Sequence, residues 1–97
     1  MLTSKQRSAL NGLAMTIEPS LRIGKSGVGE NTLKELDALL TARELIKVGV
    51  LKNCEYTSKE LIGEIAEKLN AEPVAAIGSV MIFYRYSDKK DIKHIKF

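Results

Sequence analysis

The stretch from Val74 to Tyr86 limits the fold more than any other. Val74 to Ile77 and Val80 to Tyr86 are rich in β-branched and aromatic residues. Gly78-Ser79 between them suits a two-residue type II′ turn. That turn predicts a hairpin pairing Ile77 with Val80, Ala76 with Met81, Ala75 with Ile82 and Val74 with Phe83. Directly opposed residues share a face. One face then collects Val74, Ala76, Met81 and Phe83, with Arg85 at its end; the other collects Ala75, Ile77, Val80, Ile82, Tyr84 and Tyr86. Both faces are largely apolar, whereas a hairpin wet on one side alternates more cleanly. The rest of the chain must therefore cover both sides.

The earlier sequence offers three amphipathic helices for that task. Residues 3 to 17 read as a helix, capped by Thr3 with Gln6 three residues on, with Leu10, Leu13, Ala14 and Ile17 recurring at helical spacing. Glu18-Pro19-Ser20 ends it, since the residue before proline is pushed out of the helical region. Leu21 to Ile23, between Pro19 and Gly24, is too short for anything but a strand. A second helix is expected from Gly29 or Glu30 to Glu44, with Leu33, Leu36 and Leu40 as its stripe and Leu39 widening it. Leu45 to Leu51 reads as a strand, with Ile46, Val48 and Val50 on one side and Lys47 and Gly49 on the other. Thr57-Ser58-Lys59-Glu60 is a capping box opening a third helix, which carries Leu61, Ile62, Ile65, Ala66 and Leu69 and stops at Asn70 before Pro73.

The order α-β-α-β-α-β-β predicts a compact layered α/β domain with a four-stranded mixed sheet. If strand-helix-strand units join parallel neighbours, right-handed crossovers place the second and third helices on one side. Part of the first helix is left for the other. One domain over residues 1–97 is expected, with Ser87 to Phe97 a loose basic tail in which Ile92 and Ile95 are the hints of docking.

Composition removes several classes of function. No apolar run approaches the roughly 18 residues that span a bilayer, and the polar start is unlike a signal peptide, so a soluble cytoplasmic protein is expected. Cys54 is the only cysteine and His94 the only histidine, which leaves no Cys/His set for zinc and suggests neither metal nor cofactor. No catalytic constellation can be assembled, and a non-enzymatic monomer is expected. The net charge is +3, but the second and third helices carry four basic against seven acidic residues. The remainder holds eleven basic and five acidic. Such separation suits a one-sided anionic partner.

The stretch Leu21-Arg22-Ile23-Gly24-Lys25-Ser26-Gly27-Val28-Gly29 is where such a partner fits. A glycine-rich turn running into a helix offers uncovered N–H groups and partial positive charge to phosphate. A Walker A loop would need glycine where Pro19 stands, and Gly24, Gly27 and Gly29 are spaced wrongly for a dinucleotide fingerprint. Gly24-Lys25-Ser26-Gly27 matches the G-x-x-G of a KH-type RNA clamp, yet that loop joins two helices, and Pro19 to Ile23 cannot supply the first. The residues alone leave open a sugar-phosphate contact, with Lys25 as a mobile charge and Ser26 as a donor, or a plain exposed turn.

Several separated motifs in order carry a resemblance over nearly the whole chain. Leu2-Thr3-Ser4-Lys5-Gln6-Arg7, Gly12-Leu13-Ala14, Ile23 to Gly27, Glu44-Leu45-Ile46-Lys47-Val48, and Ile77-Gly78 followed by Phe83-Tyr84-Arg85 resemble the CRM (chloroplast RNA splicing and ribosome maturation) family, in its free-standing bacterial YhbY-like form. The resemblance implies a fold similar to the C-terminal domain of translation initiation factor three. It implies RNA as partner, in precursors of the large ribosomal subunit, with no membrane or small-molecule substrate. It also implies an RNA contact at Gly24, Lys25, Ser26 and Gly27, and Lys47 and Arg85, which match family motif positions, are expected in the same site. Arg85 fits a buried-edge residue pairing a carboxylate equally well. Arg22, Lys5 and Arg7 join the expected site on charge. An alternative is a protein-interaction adaptor with only nonspecific affinity for RNA.

Overall fold

The computed structural model describes residues 2–97; residue 1 of the expected domain lies outside the described residues. The chain runs α1 (Ser4–Ala14), β1 (Leu21–Ile23), α2 (Glu30–Arg43), β2 (Leu45–Val50), α3 (Ser58–Leu69), β3 (Glu72–Ile77) and β4 (Val80–Tyr84). The order of elements is the one the sequence predicts. The strands form one mixed sheet ordered β1-β2-β4-β3. β1 and β2 are parallel neighbours, and β4 lies antiparallel between β2 and β3. The α2 connection thus joins adjacent strands, while α3 carries the chain past β4 to the far edge.

The helices begin where their free N–H groups find acceptors. Thr3 Oγ1 accepts from the Gln6 N–H at 3.1 Å while Gln6 Oε1 accepts from the Thr3 N–H at 3.0 Å, and Thr57 with Glu60 repeats the arrangement at α3. α3 ends on Asn70 in the left-handed conformation, φ 53°.

Two apolar clusters lie on opposite sides of the sheet. Leu36 and Leu40 of α2 join Leu61, Ile65, Ala66 and Leu69 of α3 over Ile23, Ile46, Val48, Val50, Met81 and Phe83. On the other side Leu10 and Ala14 of α1 meet Leu45, Val74, Ile82 and Tyr84. Both hairpin faces therefore pack against helices, as their apolar character requires, except at Ile77, which stays exposed.

Three expectations need correction. Ile77, Ala76 and Ala75 pair with Val80, Met81 and Ile82 as predicted, but Phe83 pairs with Pro73 rather than Val74, because a bulge intervenes between Pro73 and Ala75. Proline cannot donate to a ladder and is confined to edge strands and bulges; β3 is an edge strand. The extra residue turns Val74 to the α1 side, opposite to the face the simple register gave it. Second, α1 stops at Ala14, three residues early. Leu13 is then exposed, and Ile17 packs from a turn closed by its N–H to the Ala14 carbonyl at 3.1 Å. Third, the segment 87–97, expected to be loose, is docked. Ile95 packs on the α1-side cluster, and the Phe97 ring meets Tyr84 edge-on with centroids 5.0 Å apart.

Candidate nucleic-acid interface

The parallel strands set the place of the site. β1, β2 and β3 run in one direction, so their C-terminal ends, and the N-termini of the helices that follow two of them, share one rim. In open α/β sheets ligands gather outside that rim. The glycine turn is on it. The Gly27 N–H donates to the Gly24 carbonyl at 3.0 Å, closing a tight turn over Lys25 and Ser26, both exposed. Gly27 has φ +69°, a conformation that costs any residue with a Cβ. Val28 then packs on the core, and Gly29 stands as the N-cap of α2, its N–H donating to Thr32 Oγ1 at 3.3 Å.

Sheet register adds two of the predicted basic residues. Arg22 pairs with Gly49 and Gly49 with Val80, which pairs in turn with Ile77. Paired residues share a face, so Arg22, Gly49, Val80 and Ile77 form one row across the sheet on the α1 side. Lys47 lies on the same face, in the next row with Ile82 and Ala75. A Cβ on Gly49 would sit 3.3 Å from Arg22 Cγ; the glycine gives the arginine stem room to lie across β2. Arg22, Lys25, Ser26 and Lys47 thus belong to one end of one face. Lys5 and Arg7 lie on the same side of the sheet but on the first half of α1, where Arg7 neighbours Glu72 and Pro73 at the start of the far edge strand. Among the described residues, none of these five cations forms an ion pair.

Arg85 stands apart. Its guanidinium donates to Asp37 Oδ1 at 2.7 Å, the Leu69 carbonyl at 2.8 Å, the Asp37 carbonyl at 2.9 Å and Thr41 Oγ1 at 3.0 Å. Those contacts tie the end of β4 to α2 and to the end of α3, which is the carboxylate-pairing role. Glu44, fully buried after α2 with φ +66°, is the residue the sequence hid. Its carboxylate accepts from the Ser87 N–H at 2.8 Å, His94 Nδ1 at 2.6 Å and the Ile95 N–H at 2.9 Å, and so docks the C-terminal segment. Burial pushes its carboxyl pKa up, but the hydrogen bonds from Ser87, His94 and Ile95 and the nearby imidazole outweigh that, and the net shift is downward. Among the described residues no three His, Cys, Asp or Glu side chains converge as metal ligands, and no helix is long and apolar enough to cross a membrane.

The model of the CRS1/YhbY (CRM) domain matches residues 2–85. The chain belongs to that family. Among proteins similar to this CRM-domain chain is one of Bacillus subtilis named as a probable RNA-binding protein, YqeI, 36% identical over 96 residues, spanning 99% of this chain and 98% of its own. A Haemophilus influenzae protein named as RNA-binding is 34% identical over 92 residues, spanning 95% and 93%. The fold is similar to the solution structure of a hypothetical Staphylococcus aureus protein proposed to bind RNA, with a TM-score of 0.78 and 45% identity over 96% of this chain and 98% of that one.

Sequence reasoning missed two neighbours of the glycine turn. The Leu51 N–H donates to the Ile23 carbonyl at 2.8 Å. That bond brings the loop after β2 against the turn, with Asn53 Oδ1 3.6 Å from where a Cβ on Gly24 would be. Exposed Lys52 and Asn53 therefore border the CRM-domain loop. Nothing local in the sequence marks them, because the approach is made by strand pairing across about 30 residues.

Proposed function

We propose that this protein is a non-enzymatic RNA-binding protein that grips the sugar-phosphate backbone of ribosomal RNA in precursors of the large ribosomal subunit. The observation that carries the reading is the gathering of Lys25 and Ser26, on a turn closed by Gly24 and Gly27, with Arg22 and Lys47 on the adjoining sheet face. Backbone N–H groups and unpaired cations at a helix-bearing rim are what phosphate oxygens need. Family membership and the names of the relatives support RNA as the partner. Lys5 and Arg7 extend the positive surface along α1. Arg85 holds the scaffold through its bonds to α2 and the end of α3.

The main groups presented are phosphate-binding, so RNA shape outweighs base sequence in recognition. Crosslinking in cells followed by sequencing of the attached RNA tests the reading. Reads concentrated on large-subunit ribosomal RNA and its precursors are expected. Reads spread in proportion to RNA abundance would contradict it. So would a protein that keeps its place in precursor-sized fractions after nuclease treatment of the lysate, as an adaptor held by protein contacts would.

A further inference from the structure

The α1 side of the sheet is not covered throughout. α1 and the C-terminal segment pack over Leu45, Ile82 and Tyr84. Beyond them, where α1 ends early, a cleft of about 170 Å³ opens between Asn11 of α1, Met15 just after it, and Lys47, Ile77, Val80 and Ile82 of the sheet. Met15 is 74% and Ile77 57% exposed, so two large apolar side chains flank it without cover. The volume falls below the roughly 300 Å³ at which pockets for free small molecules begin. It is a recess for one part of a ligand held mainly elsewhere.

Two further features describe that part. The rim is cationic, with Lys47 in the lining and Arg22 two strands away in the same row as Val80 and Ile77, a distance of about 10 Å. An apolar floor beside unpaired cations suits a ligand that joins an apolar ring to an anionic chain. In addition, Asn11 in the lining places a side-chain amide beside that floor.

An unpaired nucleobase supplies a flat apolar ring, N–H donors on its edge and a phosphate chain within reach of Arg22, Lys47 and Lys25. We infer that the cleft between the end of α1 and the β3–β4 hairpin receives one unpaired base of the bound RNA, with the Asn11 amide against its edge. This rests on the RNA-backbone reading above and adds a preference to it. Aliphatic contact discriminates poorly among bases, whereas a paired base cannot leave its stack without cost. The cleft therefore selects RNA with bulges, loops or single-stranded ends over continuous duplex.

The test titrates the full chain with two fluorescent RNAs, a fully paired duplex and the same duplex carrying a short unpaired bulge. Ile77→Ser and Asn11→Ala should each weaken binding to the bulged RNA roughly tenfold and leave duplex affinity unchanged. Asn11→Ala should leave the melting temperature close to the parent's; a structural role for Asn11 would lower it. Lys25→Glu separates the two readings, since it should weaken both RNAs. If it does and the cleft variants weaken neither RNA, or both equally, the cleft inference is wrong and the backbone reading stands. If Lys25→Glu weakens neither, the underlying reading fails. A dimer in sedimentation that Ile77→Ser abolishes would assign the cleft to a second copy of the chain and overturn the inference.

Discussion

Gly24 and Gly27 bracket the same turn for different reasons. Gly27 has φ +69° and open space around a would-be Cβ, so Gly27→Ala should cost about 1 kcal/mol of stability through the backbone alone. Gly24 needs no left-handed backbone, and a Cβ there would meet Leu51 Cδ1 at 3.4 Å, an ordinary contact. Gly24→Ala should melt close to the parent yet bind RNA more weakly, because in the proposed binding mode the added methyl crowds a phosphate's approach to the turn. Chemical denaturation with parallel RNA titrations separates the two. Glu44 yields a pH prediction. Its folded pKa is depressed, so its stabilisation is complete above the ordinary carboxylate range and is lost as pH falls through the folded value. Melting temperature should therefore drop below about pH 4 more steeply for the parent than for Glu44→Gln. Glu44→Ala, which orphans the Ser87 and Ile95 N–H groups, should cost about 3 kcal/mol at neutral pH.

At the level of elements, the helices were legible through caps on α1 and α3 and a leucine stripe on α2: Thr3 with Gln6, Thr57 with Glu60, and Leu36 with Leu40 in their predicted places. The hairpin turn was legible too, since φ is positive at Gly78 but not at Ser79, as a type II′ turn requires. What the sequence withheld depends on partners distant along the chain. Val74 changes face because Pro73 falls on an edge strand, and Glu44 looks like one more solvated helix acid until Ser87, His94 and Ile95 close on it. Arg85 is the clearest case. A basic residue beside an RNA-binding motif reads as a ligand contact, whereas its donors are occupied by α2 and the end of α3. Arg85→Ala should destabilise the fold by about 2 kcal/mol. The protein that remains folded should keep its RNA affinity, measured well below the melting transition.

For the whole molecule, the charge separation read from composition acquires a direction. The acidic excess rides on α2 and α3, which pack together on one side of the sheet, while Arg22, Lys47, Lys5 and Arg7 lie on the side of α1. The glycine turn stands on the rim between these sides, at the start of α2. A backbone-gripping surface of this kind binds with an affinity that falls as salt rises, in proportion to the phosphates neutralised. The most direct test is the salt dependence of affinity for a structured large-subunit ribosomal RNA fragment, measured by fluorescence anisotropy on the parent and on Lys25→Glu. Weaker binding by the variant at every salt concentration is predicted, with the slope of log affinity against log salt shallower by about 1. Tight binding by Lys25→Glu with an unchanged slope, or parent binding that does not respond to salt, would contradict the account.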